Sequence, residues 1–158
     1  MVQKFAAYHP LLTEHFTLDW LTTTPLKKIQ QTFRAIPTLQ QQAQDYAGLT
    51  QALNQTMTAI MANQKLVWGI SQRQGQRFIG QAGFSDWQKA QATLSLDLPS
   101  SIDFATWQEL ITFLTAFGQQ TLELQQITYH LSKATAAQTH CLTELGYQQT
   151  DATWQWSL

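Results

Sequence analysis

Few side chains in this sequence of 158 residues can move a proton or attack a carbon near neutral pH. His140 has the right chemistry for a proton shuttle, and Tyr129 and His130 are further candidates. Two acids, Asp86 and Asp97, fall at strand ends. Cys141 is the lone thiol; no Cys–His–acid pattern surrounds it, so it reads as buried packing rather than as a nucleophile. One cysteine also excludes an internal disulfide and makes a Cys-based metal site improbable, and no metal is expected. Asp103 stands apart from these. Lying three residues before Thr106, it has the place of a helix N-cap, accepting orphan N–H groups and setting a carboxylate at the positive end of the helix.

That aspartate sits inside the stretch that organises the chain, residues 92–118. Leu94, Leu96 and Leu98 alternate along a half-buried strand. Pro99, Ser100, Ser101 and Ile102 break it. From Asp103 onward Phe104, Trp107, Leu110, Ile111, Leu114 and Phe117 recur at three-and-four spacing, the stripe of an amphipathic helix. A strand running into a buried helix leaves unpaired N–H groups at the junction, where an α/β protein can hold a phosphate.

The remaining pattern supplies the supporting elements. Residues 1–13 lack periodicity and read as a loosely ordered lead-in. Residues 15–22 form a strand, and a helix follows with Thr24 as N-cap and Pro25 at its first position, stopped by Pro37. The glutamine-rich residues 38–48 read as a solvated connection or weak helix. A helix is expected over 49–62, then strands over 65–71 and 76–84 joined by a turn at 73–75, and another turn at 86–89. Beyond the main helix come a strand over 126–131 and a helix over 133–145, with Gly146 as a left-handed stop. A final strand or pair occupies 147–158, with Trp154 and Trp156 on one face as core or dimer contact.

Bulk composition narrows the function classes. The length suits one domain, residues 1–158. Only 12% of residues are charged, about half the usual share of ~25%, while Gln and Thr together contribute 46. A net charge of -1 without a Lys/Arg run argues against nucleic-acid binding. No apolar run is long enough to cross a bilayer and no signal pattern opens the chain, so the expectation is a cytoplasmic protein that does not engage membranes.

Several short motifs occur in an order that resembles the GNAT superfamily of N-acetyltransferases, in its branch of ribosomal-protein and small-amine acetyltransferases. Val67-Trp68-Gly69-Ile70 and Ile79-Gly80-Gln81-Ala82-Gly83 are similar to its "trp-x-ile" and "ile-gly-x-x-gly" strands. Phe104-Ala105-Thr106 with Ala116-Phe117 is similar to its main helix, and Leu142-Thr143-Glu144-Leu145-Gly146-Tyr147 to its closing motif. The resemblance spans residues 14–150. It implies an α/β fold, a mixed and mostly antiparallel twisted sheet flanked by helices and splayed near Leu98. It also implies acetyl-CoA as co-substrate, with transfer to a primary amine of a small molecule or a protein N-terminus by direct attack, and it is compatible with a homodimer. By the same resemblance Leu96, Leu98, Ser100, Ser101, Ile102, Asp103, Phe104, Ala105 and Thr135 would hold the donor; of the acids near the cleft it implies, Asp97 and Asp86 are the candidate bases, and His140, with Tyr129 and His130, is the candidate acid.

Two departures weaken that implication. Where the family's pyrophosphate loop reads Arg/Gln-x-x-Gly-x-Gly/Ala, residues 100–105 conform only at Ala105. Asp103 takes a glycine's place and brings negative charge. On the last helix the positions of the family's proton donors are Leu142 and Gln138, neither of which is an acid. The alternative expectation is therefore a GNAT-fold binding or assembly module that has lost acetyl-CoA.

Overall fold

A computed structural model describes residues 4–158. Its strands are β1 (Leu11–Leu12), β2 (Phe16–Asp19), β3 (Leu66–Gln72), β4 (Phe78–Gln88), β5 (Gln91–Asp97), β6 (Gln126–His130), β7 (Gln148–Thr150) and β8 (Thr153–Ser157). They form one sheet in the order β1-β2-β3-β4-β5-β6-β8-β7. β5 runs parallel to β6, and the pairs β1/β2, β2/β3, β6/β8 and β7/β8 are antiparallel. The helices are α1 (Leu26–Arg34), α2 (Tyr46–Met61), α3 (Phe104–Gln120) and α4 (Ala136–Glu144). The expected α/β class, mixed and mostly antiparallel, is the one observed.

Contacts gather into two compact units, one containing the residues up to Gly83 with Leu96–Ser101, the other Phe84–Ser95 with Ile102–Leu158. In the former, Phe16 and Leu18 alternate inward on β2 as their spacing requires. Ile29 and Phe33 of α1 pack with Ile36, Leu39, Leu49, Leu53 and Phe78. Two local expectations fail here. Residues 1–3 of the lead-in lie outside the described residues; from Lys4 onward it is packed, not loose: Phe5 and Tyr8 are buried, and the Trp68 indole donates to the Tyr8 carbonyl at 2.7 Å. Apolar anchoring of two aromatics outweighs the missing periodicity. At α1 the N-cap is Pro25, with no side-chain cap; Thr24 lies one residue too early to reach the first turn.

Helix α2 begins at Tyr46, earlier than expected, because Asp45 accepts from the Gly48 amide at 2.6 Å. The glutamine run contributes a 3-10 segment, Gln40–Ala43, with its three glutamines exposed. The β3/β4 hairpin turns where Gly75 and Gln76 take positive φ, 82° and 54°. Glycines at 80 and 83 allow strands to touch: a Cβ at Gly80 would collide with the Asp97 carbonyl oxygen, and one at Gly83 with that of Leu66.

In the other unit Trp107, Leu110, Ile111, Leu114 and Phe117 form the buried stripe of α3. Phe104 leaves that stripe. It is 37% exposed and lies against the Trp107 ring, centroids 5.8 Å apart. Gly118 admits Ile127, whose Cδ1 would lie 2.9 Å from an added Cβ. The turn expected over 86–89 is displaced: Asp86 stays within β4 at a φ of 53°, a left-handed geometry that aspartate tolerates, and the reversal comes at Lys89–Ala90. Trp154 is core, 1% exposed, and Trp156 is half-buried. Gly146 ends α4 at a φ of 100°, as expected of a left-handed stop. Among the described residues no helix is long and apolar enough to cross a membrane.

Candidate functional site

The end of β5 and the starts of α3 and α4 carry the positions of interest. The β5/β6 ladder runs from Gln91↔Gln126 to Leu94↔Tyr129, three residues before β5 itself ends at Asp97. The departure of the two strands thus begins just before the splay expected at Leu98. At the last rung Tyr129 is buried, and its hydroxyl accepts from the Trp107 indole at 3.2 Å, which ties the strand to α3.

Leu96, Asp97, Leu98, Ser100 and Ser101 all fall in the unit of α1 and α2. Leu96 and Leu98 are half-buried, and both serines are exposed. Asp97 is half-buried with both oxygens engaged. Oδ1 accepts from the Thr38 hydroxyl at 3.1 Å and Oδ2 from the Gln81 amide at 3.3 Å. Two neutral donors from separate segments therefore fix the carboxylate's orientation. Neither partner is marked by a motif that pairs it with Asp97. Gln81 sits in the glycine-rich strand motif and alternation could have aimed it at β5, but Thr38 lies 59 residues from Asp97 and left no local signal.

Ile102, Asp103, Phe104, Ala105, Thr135 and His140 fall in the other unit. Asp103 is the N-cap of α3, its Oδ1 accepting from the Thr106 amide at 3.0 Å. Hydrogen bonding by the Thr106 side chain and then its amide holds the Asp103 carboxyl below the usual carboxylate range. The group is thus firmly ionised at neutral pH. Thr135 caps α4 within a reciprocal box: its hydroxyl accepts from the Gln138 amide at 3.1 Å, and the Gln138 side chain accepts from the Thr135 amide at 3.0 Å. The Thr-x-x-Gln spacing signals such a box and places the helix start after Thr135, not at Lys133.

His140 lies on the solvent side of α4, its side chain 78% exposed and 3.9 Å from Glu144 one turn on. Cys141 is buried near Thr112 and Gln108, and burial pushes its thiol upward, as expected of a packing residue. Tyr147 shares a 2.9 Å hydrogen bond with Thr115; burial drives its phenol well above the ordinary tyrosine range.

For a pyrophosphate the fit is poor. A helix N-terminus attracts phosphate through free amides and its positive dipole end. In α3 the Thr106 amide is already taken and an ionised carboxylate occupies the cap. The first turn of α3, folded this way, does not suit a dianion.

No family model and no curated protein matches the sequence significantly. Solved structures do match. A Vibrio cholerae protein assigned as a ribosomal-protein-serine acetyltransferase superposes with a TM-score of 0.76 at 16% identity, over 95% of this chain and 98% of that one. The ribosomal-protein-S5-alanine acetyltransferase of Vibrio fischeri gives 0.75 at 11% identity, over 94% and 96%. A spermidine N-acetyltransferase chimera built in part from the Vibrio cholerae enzyme gives 0.70 at 15% identity, over 90% and 95%. The chain has the fold of the GNAT acetyltransferases, and it has it over nearly its whole length.

Proposed function

We propose that the chain is an acetyl-CoA-dependent N-acetyltransferase acting on a primary amine, either of a small molecule or of a protein N-terminus. The observation that carries this reading is the agreement of fold with acetyltransferases across almost all of both chains. Fold alone does not fix function, so the reading also leans on the strand end. Acetyl-CoA, when bound, supplies the activated acyl carbon. The protein's own tasks are to hold the donor and to take the proton an attacking amine sheds. Asp97 suits the second task, because Thr38 and Gln81 hold it in one orientation and no cation pairs with it among the described residues.

Removing a positioned base typically lowers the rate by about 10²- to 10⁴-fold. Asp97→Asn should accordingly depress kcat by at least ~100-fold with little change in donor affinity. Equal activity of the variant in a thiol-release assay would remove Asp97 from the reaction.

A second reading is favoured by Asp103 alone: the chain keeps the fold but no longer engages the donor. Thermal melting with acetyl-CoA separates the two. Ligand at a hundred times its Kd adds about 2.7 kcal/mol of stability, so a rise in Tm at millimolar acetyl-CoA supports the enzyme. An unchanged Tm supports the binding module.

A further inference from the structure

One hollow of about 350 Å³ is lined wholly by residues of the unit of α1 and α2. Its size is near the lower bound of small-molecule pockets, about 300–1,000 Å³. One face of the β2/β3 ladder forms its floor, with Thr17 opposite Ser71 and Asp19 opposite Gly69. Lys28 of α1 and Arg73 of the hairpin turn line it as well.

The charges in this hollow are arranged unusually. Asp19 is half-buried and anchored through a single oxygen: Oδ1 lies 2.9 Å from His9 Nδ1 and accepts from the Trp20 amide at 2.7 Å. Its Oδ2 has no hydrogen-bond partner among the described residues. Arg73 is also anchored from one side, Nη1 donating to the carbonyls of Thr13 and Glu14 at 2.9 and 3.3 Å. The Lys28 side chain is exposed and makes no hydrogen bond among the described residues. Among the described residues neither cation pairs with Asp19, whose side-chain partner is His9.

Opposite charges facing one hollow would ordinarily collapse into a pair. Here the aspartate and the arginine are each tethered to backbone, so each keeps bonding capacity for a third party. We infer that the hollow binds a small zwitterion, its ammonium against Asp19 Oδ2 and its carboxylate between Lys28 and Arg73. The hydroxyls of Thr17 and Ser71 supply neutral contacts along the floor. Such a site does not depend on acetyl transfer.

Calorimetric titration of the purified full chain tests it, using glycine, 4-aminobutyrate and 6-aminohexanoate as zwitterions of increasing charge separation. Butylamine and butyrate serve as single-charge controls. At least one zwitterion should bind saturably, with both controls weaker by roughly tenfold or more, the loss expected for one missing charge contact. Asp19→Asn and Lys28→Gln should each weaken binding by roughly tenfold. The Lys28 side chain has no partner to lose among the described residues, so its variant keeps the fold even if Asp19→Asn disturbs the His9 contact. No saturable binding by any zwitterion, equal binding of a control, or unchanged affinity in Lys28→Gln would each overturn the inference.

Discussion

Helices α3 and α4 start alike and differ in sign. Both have an extended N-cap residue whose side-chain oxygen accepts the amide three residues on, at 3.0 Å from Asp103 and 3.1 Å from Thr135. Asp103 brings a full negative charge, whereas the Thr135/Gln138 box brings none. Helix dipole and free amides make an N-terminus attractive to anions. The same local geometry therefore cancels that attraction at α3 and preserves it at α4. A cap is thus a choice about ligands as much as about stability.

The largest effect expected from breaking this contrast is on the donor. Asp103→Asn keeps a side-chain oxygen for the Thr106 amide and deletes the charge. Acetyl-CoA affinity should rise by about tenfold, the attraction regained when like charge is removed from a partly screened site. Isothermal titration at low salt is the measurement; unchanged or weaker binding would show that the cap does not oppose the donor. The matching change at the other helix, Thr135→Ala, deletes a neutral cap and should cost about 1 kcal/mol of stability with donor affinity nearly constant. A chemical-denaturation series reads the first quantity and titration the second. A large affinity loss in Thr135→Ala would instead give α4 a direct part in holding the donor.

The contrast also marks what the residues disclose in advance. Asp103 as a cap was legible because its cue is local, an acid three residues ahead of an amide at the head of an apolar stripe. The strand of Leu94 and Leu96 and the α3 stripe are legible for the same reason, being carried by alternation and three-and-four spacing. Phe104 shows the limit: periodicity puts it with Trp107, but the first helical turn lies at the edge of the packed face and the ring stays exposed. The setting of Asp97 was illegible because its partners come from distant segments, and so was the packing of Phe5 and Tyr8, which depends on Asn63 and Trp68. The tethered charges of the β2/β3 hollow leave no mark in the sequence because no motif links Asp19 with Arg73.

The smallest effect sharpens the contrast through pH. Hydrogen bonding lowers the Asp103 pKa below the ordinary value of 3.8, so the folded protein holds this proton less tightly than the unfolded chain. For a depressed folded pKa the contribution to stability is fully present above the unfolded value and is lost as pH falls through the folded one. The Thr135 box does not titrate and adds nothing to that slope. Wild-type Tm should therefore fall more steeply below pH 4 than Tm of Asp103→Asn, while the two profiles run parallel from pH 5 to pH 7. Thr135→Ala should shift the whole curve downward without changing its acid limb. Identical acid limbs in wild type and Asp103→Asn would mean that solvent, rather than the Thr106 amide, sets the energy of this carboxylate, and that the charge at α3 is too well screened to repel a phosphate.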